Sequence, residues 1–247
     1  MKSFTFMTLI ILIVLSIASS SFCEVDNIPL PGSKDMKKYF MENFSIRRWG
    51  SEIDLDIMRI ESLPYERIFS KHRIFKVHIS RRNLEIKYPG TFISSGYFST
   101  DGKEILYLNW TDTDNIETLF KNENIQIDKL DATTFCSFLS QTLLTYESSS
   151  YKVISSVSEI IDFAHANKGY EVNNAEIGKF ESDIHPPKIS GNKESGWEIE
   201  FYSWGGLMHK VTIVSRHLFK ISGQYKIQHR KEILTKQIFS KVPRIIY

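Results

Sequence analysis

The hydrophobic period changes twice along this 247-residue chain, and that change constrains the fold more than any motif does. In "SEIDLDIM" (51–58) apolar and acidic residues alternate. Ile53, Leu55 and Ile57 point one way, and Glu52, Asp54 and Asp56 point the other, as in a strand with one wet face. "RIFKVHIS" (73–80), "NLEIKY" (83–88), "TFISSGYFS" (91–99) and "KEILYLNW" (103–110) follow with strand patterns. Pro89-Gly90 reads as a turn, and Asp101-Gly102 as a two-residue hairpin loop. The first half is therefore expected to be an antiparallel meander, preceded by a short helix over 34–44 with Met36, Tyr39 and Phe40 on one face.

The middle switches to helical spacing. "DATTFCSFLSQTLLTYE" begins at Asp131, an N-cap residue, and stacks Phe135, Leu139 and Leu143. "KVISSVSEIIDFAHANKG" aligns Val153, Val157, Ile160 and Ala164 and ends near Gly169, predicting a second helix over this stretch. Residues 170–196 are polar and broken by Pro186-Pro187 and Gly191, which predicts a long loop. Alternation then returns in "GWEIEFYSWGGLMHKVTIVSR" and "LFKISGQYKI", each read as strand. The end, "HRKEILTKQIFSKVPRIIY", fits either a basic amphipathic helix or a further strand. Aromatic residues make up 13% of the chain, a composition that suits a pleated core. Together these signals predict an α+β fold in which one antiparallel sheet, made of the N-terminal meander and a C-terminal hairpin, packs against two central helices. Residues 24–247 are read as a single domain.

The stretch "FYSWGGLMHKV" (201–211) gathers Trp204, Gly205, Gly206 and His209. A two-residue loop at Gly205-Gly206 mixes polar and apolar residues on both faces. A three-residue loop over Trp204–Gly206 sorts them, with Ile199 opposite Val211, Phe201 opposite His209 and Glu200 opposite Lys210. That register predicts a hairpin tip with Trp204 at its exposed corner, a position from which it can touch a partner.

Residues 1–23 carry Lys2, an uncharged apolar run from Phe4 to Ala18, and a tail of small residues. The run is shorter than the roughly 20 residues a spanning helix needs, and the pattern is that of a secretory signal peptide. It predicts an exported protein: extracellular, periplasmic or within the secretory lumen. Cleavage after Cys23 leaves Cys136 alone, so no disulfide framework is expected. The sequons at Asn43 and Asn109 are acceptor sites for glycosylation if the protein traverses a eukaryotic secretory pathway.

The net charge of +2 hides an asymmetry. Nine Lys and Arg follow residue 208 against one acid, Glu232, whereas residues 24–208 carry 21 basic and 28 acidic residues. The basic end is read first as internal complementarity to the acidic body. Its other reading is a polyanion contact through Lys220, Lys226, Arg230 and Lys231. For an exported protein that contact implies a glycan or other anionic surface rather than nucleic acid.

Catalytic and metal motifs are few. Asp54-x-Asp56 can place two carboxylates on one strand face, but Glu52 continues the row as a solvated face. Asp112, Asp114 and Asn115 lack the spacing of a calcium loop, and capping of the segment that follows accounts for them. The seven histidines form no H-x-x-x-H or H-E-x-x-H pair, and C-x-x-C is absent, so no metal or cofactor is expected. Cys136 sits mid-helix among apolar residues, as a buried core thiol does, although pairing with His165 on the next helix is conceivable. The reading that emerges is an exported, non-enzymatic binding or interaction module with an unknown partner. Its rivals are an exported hydrolase whose site is assembled from distant residues, and a polyanion-binding protein.

Overall fold

The computed structural model describes residues 25–44, 53–83, 91–109, 113–144, 151–167, 170–207 and 211–241. The signal segment, most of the expected strand at 83–88, the Pro89-Gly90 turn, Asp112, His209 and Lys210 lie outside these residues. The protein is α+β with antiparallel sheets. It divides between Tyr107 and Leu108 into two compact units.

In the first unit, strands β1 (Ile53–Ser62), β2 (Arg73–Asn83), β3 (Thr91–Thr100) and β4 (Ile105–Leu108) form the meander in the order β1-β2-β3-β4. Leu55 and Ile57 are buried and Asp56 is exposed, as alternation requires. A bulge between Ile57 and Arg59 shifts the register and leaves Met58 exposed. Helix α1 (Ser33–Asn43) lays Met36 and Phe40 on the inner face, against Leu55, Ile57, Phe75, Val77, Ile79 and Phe98. Phe98 is the hub of this core: Phe75 stacks on it at 5.6 Å, and Phe40 meets it edge-on at 5.5 Å. Burying such a ring fully stabilises the fold by roughly 1.5–3 kcal/mol. The β3–β4 connection is longer than two residues. Asp101 accepts the backbone N–H groups of Lys103 and Glu104, each at 2.9 Å, and Gly102 takes the positive φ that this turn needs.

The second unit begins with α2 (Asp114–Glu123) and α3 (Ala132–Leu143). Asp131 caps α3 by accepting the Thr134 N–H at 2.8 Å, as expected. Asp114 and Asn115 do not cap α2. They lie in its first turn, after Thr113. The second expected helix is shorter than its apolar spacing suggested, because Lys152–Ile154 is β5 and the helix, α4, covers Ser158–Ala166. Strand pairing with Trp204, Ser203 and Tyr202 claims the first residues. The expected loop at 170–196 contains β6 (Glu171–Val172), the single-turn α5 (Asn174–Ile177) and β7 (Lys188–Asn192). After it come β8 (Gly196–Leu207), β9 (Val211–Ile221), β10 (Ile227–Thr235) and β11 (Phe239–Lys241), so the described part of the C-terminal segment forms strands rather than a helix.

The meander and the C-terminal hairpin belong to separate sheets. The second sheet runs β10-β9-β8-β5, and β7 shares with β5 the outer edge of the long β8. Each sheet has its own apolar cover, so neither needs the other's ladder to bury its face. "LFKISGQYKI" is not one strand. Ser222 Oγ accepts from the backbone of Gln224 and Lys226, which turns the chain between β9 and β10. Beside that turn Tyr225, at φ 66°, stacks on Trp197 and donates to the Ile125 carbonyl at 3.0 Å.

The β8–β9 register differs from the expectation. Leu207 pairs with Val211, Phe201 with His217, Ile199 with Phe219 and Trp197 with Ile221. Residues 208–210 lie outside the described residues, and Gly205-Gly206, expected in the loop, lies within β8. The sheet's two faces are both used. On one, Trp197 stacks on Tyr225, which meets Phe120, itself against Phe135 and Phe138. On the other, Tyr202 and Val214 pack with Ile160, Ala164, Ile177, Phe180 and Ile238.

Candidate functional site

A polar cleft of about 340 Å³ opens where the apolar cover of this second face ends. Glu200 and Tyr202 come from β8, Arg216 from β9, and Glu232 and Leu234 from β10, while Asp183 and His185 come from the segment before β7. Strand alternation places Glu200, Tyr202, Arg216 and Glu232 on this face. Arg216 Nε donates to Glu200 Oε1 at 2.7 Å, and Tyr202 OH donates to the same oxygen at 3.3 Å. His185 Nε2 lies 3.5 Å from it, and Arg216 Nη1 is 3.8 Å from Glu232.

The arrangement fixes the charges. Partial burial opposes ionisation of Glu200, but the hydrogen bond and charge of Arg216 outweigh it and hold the carboxyl below its ordinary range. The same hydrogen bond raises the Arg216 guanidinium. Burial, reinforced by the Glu200 charge, pushes the Tyr202 phenol up to about 12. His185 Nδ1 is 2.8 Å from the Pro186 carbonyl and therefore carries its proton, so Nε2 faces Glu200.

Two further polar lines each contain serine and histidine. On the meander, Ser95 Oγ is 3.2 Å from His78 Nδ1, and His78 Nε2 is 3.4 Å from Glu61 Oε2. These residues stand on β3, β2 and β1 and are partly exposed. In the second sheet, Ser203 Oγ is 2.8 Å from His217 Nε2, and His217 Nδ1 is 3.0 Å from His229 Nε2. Ser203 and His217 are fully buried. Burial pushes His217 down to about 2, with further lowering by His229 and Lys231. Burial and then Lys231 push His229 down to about 4. Neutral His217 is thus the stable form, and buried Ser203 is closed to a substrate.

The residues singled out in the sequence are scattered. Lys220 pairs with Glu198 at 2.7 Å, and Lys226 is held by Glu117 and Asp114. The two lysines do not line one strand, since Lys226 lies in the turn. These pairs, with Arg216 and Glu200, match basic C-terminal residues to acids of the body. Arg230 and Lys231 stand exposed on β10, with the Lys231 ammonium 4.5 Å from the Tyr151 ring centroid. Trp204 is not at a turn. It pairs with Val214 and packs edge-on against Phe163 at 4.8 Å, and its indole N–H finds no hydrogen-bond partner among the described residues.

Asn43 is exposed at the end of α1, its amide donating to the Tyr39 carbonyl at 3.0 Å, and Asn109 follows β4 partly buried. Asp56 is exposed, while the Asp54 side chain lies outside what is described. Cys136 is buried, and burial pushes its thiol up to about 12, opposite to activation, while His165 is exposed on α4. No group of three metal-binding side chains occurs among the described residues.

Sequence reasoning missed all three polar clusters, because each is assembled across strands whose register sets the contacts. Comparison with protein-family models, curated proteins and solved structures finds no match for this chain.

Proposed function

We propose that the chain is an exported, non-enzymatic binding module that holds a polar ligand in the Glu200–Arg216 cleft. One observation carries this reading: Arg216 of β9 and Tyr202 of β8 both donate to a single Glu200 oxygen, with the His185 ring 3.5 Å from it, which presets a polar cradle at the edge of an apolar layer. Preset geometry lowers the ordering cost of binding. The pattern of residues 1–23 supports export. Among the described residues no helix is long and apolar enough to cross a membrane. Exposed Asn43 suits glycosylation, if the pathway supplies it. Ligand-observed NMR with small amines, carboxylic acids and monosaccharides tests the cleft. Saturable binding by one of these classes, weakened at least about tenfold in Arg216→Ala, is expected. Binding indifferent to Arg216→Ala, or to none of the three, removes this site.

The Glu61–His78–Ser95 line favours a second reading, an exported hydrolase. Ser95 would pass its proton to His78 as Oγ attacks an acyl carbon. The leaving group would take that proton, and water would then release the acyl group. A serine-reactive phosphonate probe should label Ser95 in the parent and not in His78→Gln. An unlabelled Ser95 removes this reading.

A further inference from the structure

Strand β10 lies at the end of the second sheet and pairs with β9. Six successive residues, Gln228 to Ile233, are exposed. Its ends are fastened by the Ile227 N–H on Glu117 and by Thr235 Oγ1 on Glu176, each at 3.0 Å. Between them Glu232 lies 3.8 Å from Arg216 and Lys231 lies over the Tyr151 ring, and the side chain stacked on the sheet's own rings is that of His229. Its ring lies on Phe219 at 4.2 Å and beside His217 at 5.3 Å, and its Nε2 joins the line through His217 to Ser203.

We propose that the His217–His229 contact is an acid-sensitive latch, which holds the middle of β10 on the sheet while both rings are neutral and releases the strand when they take protons. With neutral rings, each link of the line needs one proton: a donor on one side, a lone pair on the other. A proton on both rings sets two N–H groups against each other across 3.0 Å. A single added proton is also disfavoured, because His217 is fully buried against Phe201 and His229 lies on Phe219.

Among the described residues, the groups around the pair offer no compensating carboxylate. From β8 come Phe201 and Ser203, from β9 Ser215 and Phe219, and from β10 Lys231, whose ammonium reaches Tyr151 OH at 3.4 Å. Glu117 of α2 stands at the start of β10 and is already held by Lys226. Arg216, Lys220, Arg230 and Glu232 alternate onto the opposite face. Release of β10 carries His229 into water and uncovers the β9 edge beside His217, so both can take protons and acid favours release. The pairs from Trp197–Ile221 to Leu207–Val211 keep β8 and β9 together.

Amide hydrogen exchange by mass spectrometry on the full chain tests this, with protection corrected for intrinsic exchange at each pH. Between about pH 7 and about pH 5, protection in β10 should fall at least about tenfold more than in β8. His229→Phe keeps a ring on Phe219 without a titrating group, and it should abolish the difference. Parallel changes in β10 and β8 of the parent, or the same selective loss in His229→Phe, overturn the latch. Should that variant not fold, NMR titration of the parent's histidines decides. β10 opening that does not track protonation of His217 and His229 also overturns it.

Discussion

The Trp197 indole N–H donates to the Asp128 carboxylate at 3.0 Å, tying β8 to the short 3-10 turn that precedes α3. The same indole stacks on Tyr225, ring centroids 5.8 Å apart. One buried side chain thereby joins a helix connection, the middle of the sheet and the β9–β10 turn. Trp197→Ala should cost about 3–5 kcal/mol in urea unfolding, by loss of burial and the cavity left behind. Asp128→Ala, which removes only the acceptor, should cost about 1–2 kcal/mol. Equal costs would mean that packing contributes little beyond the hydrogen bond.

Stability should fall on mild acidification. The ordinary histidine value applies to the unfolded chain, and burial lowers His217 to about 2 in the folded one. Above about pH 6.5 both states leave the ring neutral, and the site has no pH dependence. Below that value the unfolded chain takes up a proton that the folded chain refuses. Stability is then lost progressively as pH falls toward the folded value. From about pH 7 to about pH 5 the loss from this one fully buried ring is about 2 kcal/mol. Urea midpoints at the two pH values should show it, and His217→Phe should lose less between them.

Removing one partner of the cleft's ion pair should harm more than neutralising both. Arg216→Ala leaves Glu200 partly buried without its charged donor, at a cost of about 1–2 kcal/mol near neutral pH. Adding Glu200→Gln should recover part of that cost. Thermal unfolding of the single and double variants checks this, and an additive loss would show that the two side chains act independently.

Gly96 has a packing reason. A Cβ built there would lie 2.8 Å from the Phe98 ring, which is fully buried. Gly96→Ala should therefore destabilise the first unit by about 1–3 kcal/mol through overpacking. A neutral result in urea unfolding would mean that the ring can move aside.

If a polyanion binds the basic end, heparin retention should depend on Arg230 and Lys231 more than on Lys220 and Lys226. The latter two already face Glu198 and Glu117. Charge reversal at Lys231 should lower the eluting salt concentration more than reversal at Lys220. The opposite order would argue for a contact built around Lys220.

The contrast between what was legible in the sequence and what was not is clearest in β8 and β9. Helical spacing located the helix after Asp131 and a second one beyond it, though not the second helix's start at Ser158, while alternation determined the meander and which residues of "GWEIEFYSW" share a face. It also determined the parity of the hairpin, because period-two patterns specify inward and outward positions. It did not determine the register. Pairing Phe201 with His209 and pairing it with His217 sort the faces equally well, since the two registers differ by an even number of residues. Only the tertiary structure chose between them. The longer pairing carries the strands through Gly205-Gly206, sets Glu198 against Lys220 and brings Phe201, His217, Phe219 and His229 into one ladder of rings. The cleft at Glu200 and the Ser203–His217–His229 line follow from that choice. Their residues lie on different strands, and local periodicity holds no information about which strand pairs with which, or how far along.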